Sequence, residues 1–149
     1  MAEPIGNPHR FAFRVYYEDT DAGGIVYYAN YLRYAERART EMLRELGVES
    51  SRLMRDYNVA LAVRWCAINY LRPAVLDDYL VVETSLQRVG GATLEAIQTV
   101  RRQDFDLVRI DLKLGCISLD GRAARLPAAV REALSGLINS NGFYKVPGV

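Results

Sequence analysis

From about Asn30 to Leu46 apolar residues recur at helical spacing, at Tyr31, Ala35, Ala38, Met42 and Leu46, while Arg33, Glu36, Arg37, Glu41, Arg44 and Glu45 fill the other side. The spacing predicts one long amphipathic helix. Asn30 is placed to cap its start, Gly47 to end it in the left-handed region, and Arg37 to pair with Glu41 one turn on. Most of the remaining periodic segments have period two. Phe11 to Tyr17 mixes aromatic and β-branched residues and reads as a first strand, broken by the loop EDTDAGG. Beyond a polar connection through Asp56, Leu61, Val63 and Trp65 alternate with Ala62, Arg64 and Cys66 up to Pro73. Leu80, Val82, Thr84 and Leu86 form one face of a third strand, and Leu94, Ala96, Gln98 and Val100 one face of a fourth, with Gly90-Gly91 as the turn between them. Val108, Ile110, Leu112, Leu114 and Cys116 alternate with Arg109, Asp111 and Lys113 in a fifth, and Asp120-Gly121 turns the chain again. Pro127 opens a short Ala-rich segment, to about Leu137, that reads as a second helix, and SNGFYKVPGV reads as a loosely held tail. Strand, long helix and four consecutive strands imply an α+β fold. Its antiparallel five-stranded sheet must cover an apolar face, and the long helix is the large element available to be wrapped.

Composition narrows the function. At 149 residues, half of them hydrophobic, the chain reads as a single domain over residues 1–149 with no linker. A net charge of +1 supplies no bulk field for nucleic acid or an anionic membrane, so an anionic ligand must meet a local patch. The start lacks the apolar core of a signal peptide, and no run approaches the ~20 apolar residues needed to span a bilayer. We therefore expect a cytoplasmic protein with no membrane span and no nucleic-acid partner. Cys66 and Cys116 lack the spacing of a disulfide framework or zinc site and read as two buried thiols. The single histidine, His9, sits in a polar N-terminal segment with no nucleophile nearby to activate, which disfavours Ser-His and Cys-His mechanisms and a histidine-rich metal site. No metal or other cofactor is expected. Proton chemistry, if the chain is an enzyme, falls to a carboxylate.

One segment goes beyond these generic readings: YYEDTDAGGIVYYANYLRYAERARTEML, from Tyr16 to Leu43. It resembles the 4-hydroxybenzoyl-CoA thioesterase superfamily, and within it the bacterial acyl-CoA thioesterases associated with the Tol-Pal cell-envelope system, which carry similar strings around Y-E-D-T-D-A-G-G. Weaker likeness continues through LRPAVLDDYL and the turn GGATLE, so that the pattern covers roughly residues 11–126. The resemblance implies a hotdog fold, a sheet wrapped around the long helix, whose subunits pair as a homodimer or homotetramer to build the active sites. It implies that Asp21 is the catalytic carboxylate and that the backbone N–H near Tyr28, at the start of the helix, polarises the thioester carbonyl. At Tyr28 many Tol-Pal-associated relatives carry histidine, whereas other members of the superfamily carry an aromatic residue. A backbone role survives either side chain.

These roles also make chemical sense by themselves. A thioester needs a nucleophile at its carbonyl carbon and donors where negative charge grows on its oxygen, and a helix N-terminus supplies unpaired N–H groups with a favourable dipole. Asp21 precedes the helix by one glycine-bearing loop, which lets carboxylate and amides face one substrate and makes Gly24, within it, a candidate substrate-binding residue. Asp21 can attack directly to give a mixed anhydride or act as general base on water. On composition alone, Asp19, Asp21, Gly23 and Gly24 read as a turn, and Glu18 and Asp19 remain structural or substrate-orienting. Tyr27, Tyr31 and Tyr34 are candidates for an acyl pocket, or for packing. Arg64, Arg88, Arg101 and Arg102 flank the expected groove, and Arg88 with Thr93, beside the glycine turn, are candidates for the phosphates of coenzyme A. The expected substrate is the thioester of coenzyme A or of an acyl carrier protein. Two alternatives stand: a hotdog hydratase or dehydratase, and a non-catalytic acyl-thioester-binding or envelope-associated adaptor.

Overall fold

A computed structural model describes residues 6–143. In chain order the described elements are β1 (His9–Arg14), α1 (Asn30–Glu45), α2 (Ser50–Tyr57), β2 (Val59–Tyr70), β3 (Tyr79–Val89), β4 (Thr93–Arg102), β5 (Phe105–Ser118) and α3 (Ala128–Phe143). A short 3-10 turn at Tyr17–Asp19 lies between β1 and α1. The strands make one antiparallel sheet in the order β1-β3-β4-β5-β2.

The alternation read from the sequence decides which face is covered. Leu80, Val82 and Leu86 of β3, Leu94, Ala96 and Val100 of β4, and Val108, Ile110, Leu112, Leu114 and Cys116 of β5 are all buried in one core with Tyr31, Tyr34, Ala35, Ala38 and Met42 of α1. Burying each of the larger aliphatic side chains contributes about 1.5–3 kcal/mol. Two polar residues share that face, Thr84 and Gln98, which are cross-strand partners and fully buried. The Gln98 amide donates to the Ala35 carbonyl at 2.9 Å and to Thr84 Oγ1 at 3.0 Å, and its oxygen accepts from Arg39 at 2.9 Å. With its partners made, the amide ties α1 to the sheet instead of costing desolvation.

Several details differ from the sequence reading. The long helix is not the sole cover, because α2 and α3 also bury Leu53, Val130, Leu134 and Leu137 in the same core. The segment through Asp56, read as a polar connection, is helical as α2. Only Leu53 of α2 is buried, so no apolar stripe announces it, and Asn58 ends it at φ 56° in the left-handed region. The first strand begins at His9 and stops at Arg14, earlier than the predicted Phe11 to Tyr17. Asn30 is the first residue of α1 and not its cap; Ala29 holds that position, and the Asn30 side chain donates instead to the Asp19 carbonyl at 2.9 Å. Glu41 pairs with Arg44, not with Arg37. Gly47, at φ 77°, ends α1 as expected, with N–H bonds from Gly47 to Arg44 and from Val48 to Leu43 closing the last carbonyls. Cys116 is buried, but Cys66 is exposed, because β2 is an edge strand with no neighbour on its far side among the described residues. Part of the predicted tail continues α3 to Phe143, and residues 144–149 lie outside the described residues. Among the described residues no helix is long and apolar enough to cross a membrane.

Candidate active site

The loop between β1 and α1 is built by its own polar residues. The Asp19 carboxylate accepts the Tyr16 N–H at 2.8 Å, and its main-chain carbonyl takes both the Tyr27 N–H at 2.9 Å and the Asn30 side chain. Asp19 is therefore a structural bracket. Asp21 lies one bend further on: its Oδ1 accepts the Gly23 N–H at 2.8 Å, its carbonyl accepts the Gly24 N–H at 3.0 Å, and its N–H donates to the Ile25 carbonyl at 2.9 Å. Gly24 adopts φ 84°, which suits glycine and lets the chain double back. This leaves the Asp21 side chain exposed.

After the bend, Thr20 and Val26 form an antiparallel bridge, and the Val26 N–H bonds to the Ala74 carbonyl at 2.9 Å, bringing the chain to the start of α1. Among the described residues the Tyr28 and Ala29 N–H groups find no backbone acceptor, as expected at a helix N-terminus. The Tyr27 phenol is held above its ordinary pKa, chiefly by neighbouring Tyr28 and to a lesser degree by burial and the Asp21 carboxylate.

Beside the helix start lies an open cleft of about 330 Å³, walled by Val26, Tyr28, Tyr31, Tyr70, Arg72 and Pro73 among others. Tyr31 is buried, and its hydroxyl accepts the Ala74 N–H at 3.0 Å; Tyr70 Oη donates to the Tyr28 carbonyl at 3.1 Å. The Arg72 guanidinium stacks 4.4 Å from the Phe105 ring centre. Tyr34 is core packing, with a phenol pushed well above its ordinary pKa by burial first and then by nearby Asp19, although its hydroxyl does not reach hydrogen-bonding geometry with any partner. A larger hollow of about 430 Å³ lies on the solvent side of α1, lined mainly by charged side chains such as Arg33, Glu36, Arg37 and Glu41. It runs along α1 from Arg33 to Glu41, and neither Asp21 nor Tyr28 lines it.

The predicted residues thus divide into two groups. Asp21, Gly24, Tyr28 and Tyr31 gather at the start of α1. Arg64, Arg88 and Thr93 lie toward the opposite end of the sheet: Arg64 sits in a bulge of β2 with its side chain against Gly115, Gly115 is the register partner of Thr93, and Arg88 is the register partner of Glu95. Arg101 and Arg102 are engaged by Glu83, Asp106 and Asp78. Sequence reasoning missed Tyr70, Arg72 and Pro73 as cleft walls. Among the described residues no cluster of metal-ligating side chains occurs.

In sequence and fold the chain is similar to known proteins. The chain is 44% identical over 134 residues to the acyl-CoA thioesterase YbgC of Haemophilus influenzae, covering 89% of this chain and 98% of that one. A probable thioesterase from Bartonella henselae superposes with a TM-score of 0.77 at 35% identity, over 80% of this chain and 98% of that one. A hypothetical protein from Aquifex aeolicus superposes with a TM-score of 0.80 at 31% identity, over 85% and 99%. The family model of the thioesterase-like superfamily matches residues 15–134, and this hotdog-fold chain belongs to that superfamily.

Proposed function

We propose that the chain hydrolyses acyl-CoA thioesters to a free acid and coenzyme A, with Asp21 as the catalytic carboxylate and the Tyr28 N–H as the donor to the thioester carbonyl. The observation that carries this reading is the unpartnered Tyr28 N–H, at the start of α1, opening beside an apolar cleft with Asp21 on the adjoining loop. The acyl group lies in the cleft and its carbonyl oxygen meets the Tyr28 N–H, where the developing negative charge is stabilised. Asp21 takes a proton from water as the water oxygen adds to the carbonyl carbon, or adds itself to give a mixed anhydride that water then opens. In both routes the carbon–sulfur bond breaks, the sulfur leaves as thiolate and takes up a proton, and the acid is released.

A second subunit completes the site in this reading. The β2 edge runs for 12 residues and exposes Val63, Trp65 and Tyr70, whereas the opposite edge, β1, has 6 residues and points Arg10 and Arg14 to solvent. Long apolar edges invite pairing, and charged short ones resist it. Antiparallel pairing of two β2 edges sets the Tyr70 end of one chain beside the Val59 end of the other. The partner subunit's Arg64, Arg88 and Thr93 then approach the Asp21 loop and can meet the phosphates of coenzyme A. The same groove admits the phosphopantetheine arm of an acyl carrier protein. The resemblance of the Y-E-D-T-D-A-G-G string supports a relation to the Tol-Pal-associated branch.

A hydratase or dehydratase using histidine and an acid is disfavoured by position. His9, the single histidine, is bonded to Glu45 at the far end of α1, about 22 Å along the helix from its start at Asn30. The deciding experiment incubates the protein with acyl-CoAs of several lengths and follows free thiol and acyl product. Thiol release supports the proposal, an altered acyl group with the thioester intact gives the hydratase, and binding without either gives the adaptor.

A further inference from the structure

We infer that Tyr70, the last residue of β2, positions the carbonyl-polarising amide with its hydroxyl and selects the acyl group with its ring. The inference rests on the reading of Tyr28 N–H as the polarising donor. That N–H lies between two tethered peptide groups. On one side the Tyr27 N–H is tied to the Asp19 carbonyl at 2.9 Å. On the other, the Tyr28 carbonyl would accept the Leu32 N–H in a regular α-turn, but Leu32 donates to Ala29 at 3.2 Å. The Tyr28 carbonyl is thereby left over, and the Tyr70 hydroxyl takes it at 3.1 Å. A donor whose flanking peptides are both held needs little reorganisation when charge develops on the substrate oxygen, and that is the requirement for efficient oxyanion stabilisation.

The ring does separate work. It stands at 65° to Tyr31 and 75° to Tyr28, with centroid separations of 5.8 and 6.3 Å, so three aromatic rings enclose one part of the cleft. Edge-to-face packing of this kind is mutually supporting and makes a stiff wall. Tyr70 comes from a different part of the chain than its two neighbours, so shortening it opens the cleft without removing Tyr28, which carries the donor. Hydroxyl and ring are separable by substitution: Tyr70→Phe removes only the tether, and Tyr70→Ala removes both.

The test measures kcat and KM of the full chain, Tyr70→Phe and Tyr70→Ala on hexanoyl-, decanoyl- and benzoyl-CoA, with Asp21→Asn alongside and thermal melts to verify folding. Losing one hydrogen bond to the tethered carbonyl lowers kcat of Tyr70→Phe about 2- to 10-fold on every substrate, with KM and substrate order unchanged. Opening the wall raises the decanoyl-to-hexanoyl ratio of kcat/KM in Tyr70→Ala about tenfold. A purely structural tyrosine would depress all substrates together and leave the ratio fixed; Tyr70→Leu serves as the wall variant if the alanine variant melts early. Wild-type kcat in Tyr70→Phe overturns the positioning role, and a wild-type substrate order in folded Tyr70→Ala or Tyr70→Leu overturns the selecting role. An active Asp21→Asn would unseat the carboxylate assignment while leaving the Tyr70 shifts in place.

Discussion

Replacing Asp21 by asparagine isolates charge from shape. The Asp21 Oδ1 accepts one backbone N–H, from Gly23 at 2.8 Å, and an amide oxygen can accept the same bond. The side chain is exposed and lies outside the core, so the expected change in stability is within about 0.5 kcal/mol. The chemical loss is of another order. An amide neither takes a proton from water nor attacks a carbonyl, and removing a positioned general base costs about 10²- to 10⁴-fold in rate. At 1.36 kcal/mol per factor of ten, that is about 2.7 to 5.4 kcal/mol of transition-state stabilisation. The deficit falls on kcat, because the aromatic cleft and the residues proposed to hold coenzyme A are untouched. Thiol release at saturating acyl-CoA, read beside a melting curve, measures both quantities on one preparation. A folded Asp21→Asn that turns over within a few-fold of wild type would refute the assignment and direct attention to Glu18, since the Asp19 carboxylate already accepts the Tyr16 N–H.

Tyr28→Phe should cost no more than about 3-fold in kcat, since removing the hydroxyl leaves the proposed main-chain donor in place; a loss equal to that of Asp21→Asn would assign the hydroxyl a direct part. Tyr34→Phe should leave neutral-pH stability unchanged or slightly raised, because the buried hydroxyl has no hydrogen-bond partner among the described residues. The Tyr34 phenol has a folded pKa above the unfolded value of 10.0, so its contribution is full below about pH 10 and fades as the pH climbs beyond it. Urea titrations at pH 8 and pH 11 should accordingly show a smaller alkaline loss in Tyr34→Phe than in wild type. Specific activity should fall on dilution together with the mass seen by light scattering, and a stable monomer with full activity would remove the shared site.

Much of the fold could be read in the sequence because two periodicities carry it. The inward set of β5 alternates without interruption from Val108 to Cys116, and the α1 stripe recurs every three to four residues, so each element declares its buried face. Elements that bury little declare little. The α2 helix covers only Leu53, and its Ser50-Ser51 start looks like a loop until Asn58 is seen to end it in the left-handed region. The cap of α1 was misplaced for a related reason: Asn30 is a good capping residue by type, but its amide is committed to the Asp19 carbonyl, 11 residues back, and a local rule does not see that bond.

The candidate site divides along the same line. Asp21, Gly24 and Tyr28 lie in one continuous string, so their spacing states the loop and the helix start together. Tyr70 reaches Tyr28 across 42 residues of chain, and in the sequence it is one more apolar residue at the end of an alternating run, just before Leu71, Arg72 and Pro73. Only the register of β2 against β5, which sets Tyr70 opposite Val108, carries it to the helix start. Arg64, Arg88 and Thr93 pose a harder problem, since their register holds them toward the far end of the sheet and no pattern within one chain brings them to Asp21. What the sequence does hold is the contrast between the two edges. Arg10 and Arg14 put two charges on a 6-residue β1, while β2 runs for 12 residues with Arg64 as its sole charged side chain, bulged out of the ladder and laid over Gly115. The bulge carries Arg64 out of register with β5 and over Gly115, the partner of Thr93 on the next strand, so two of the residues proposed to meet coenzyme A are grouped by a cross-strand contact that spacing along the sequence does not show.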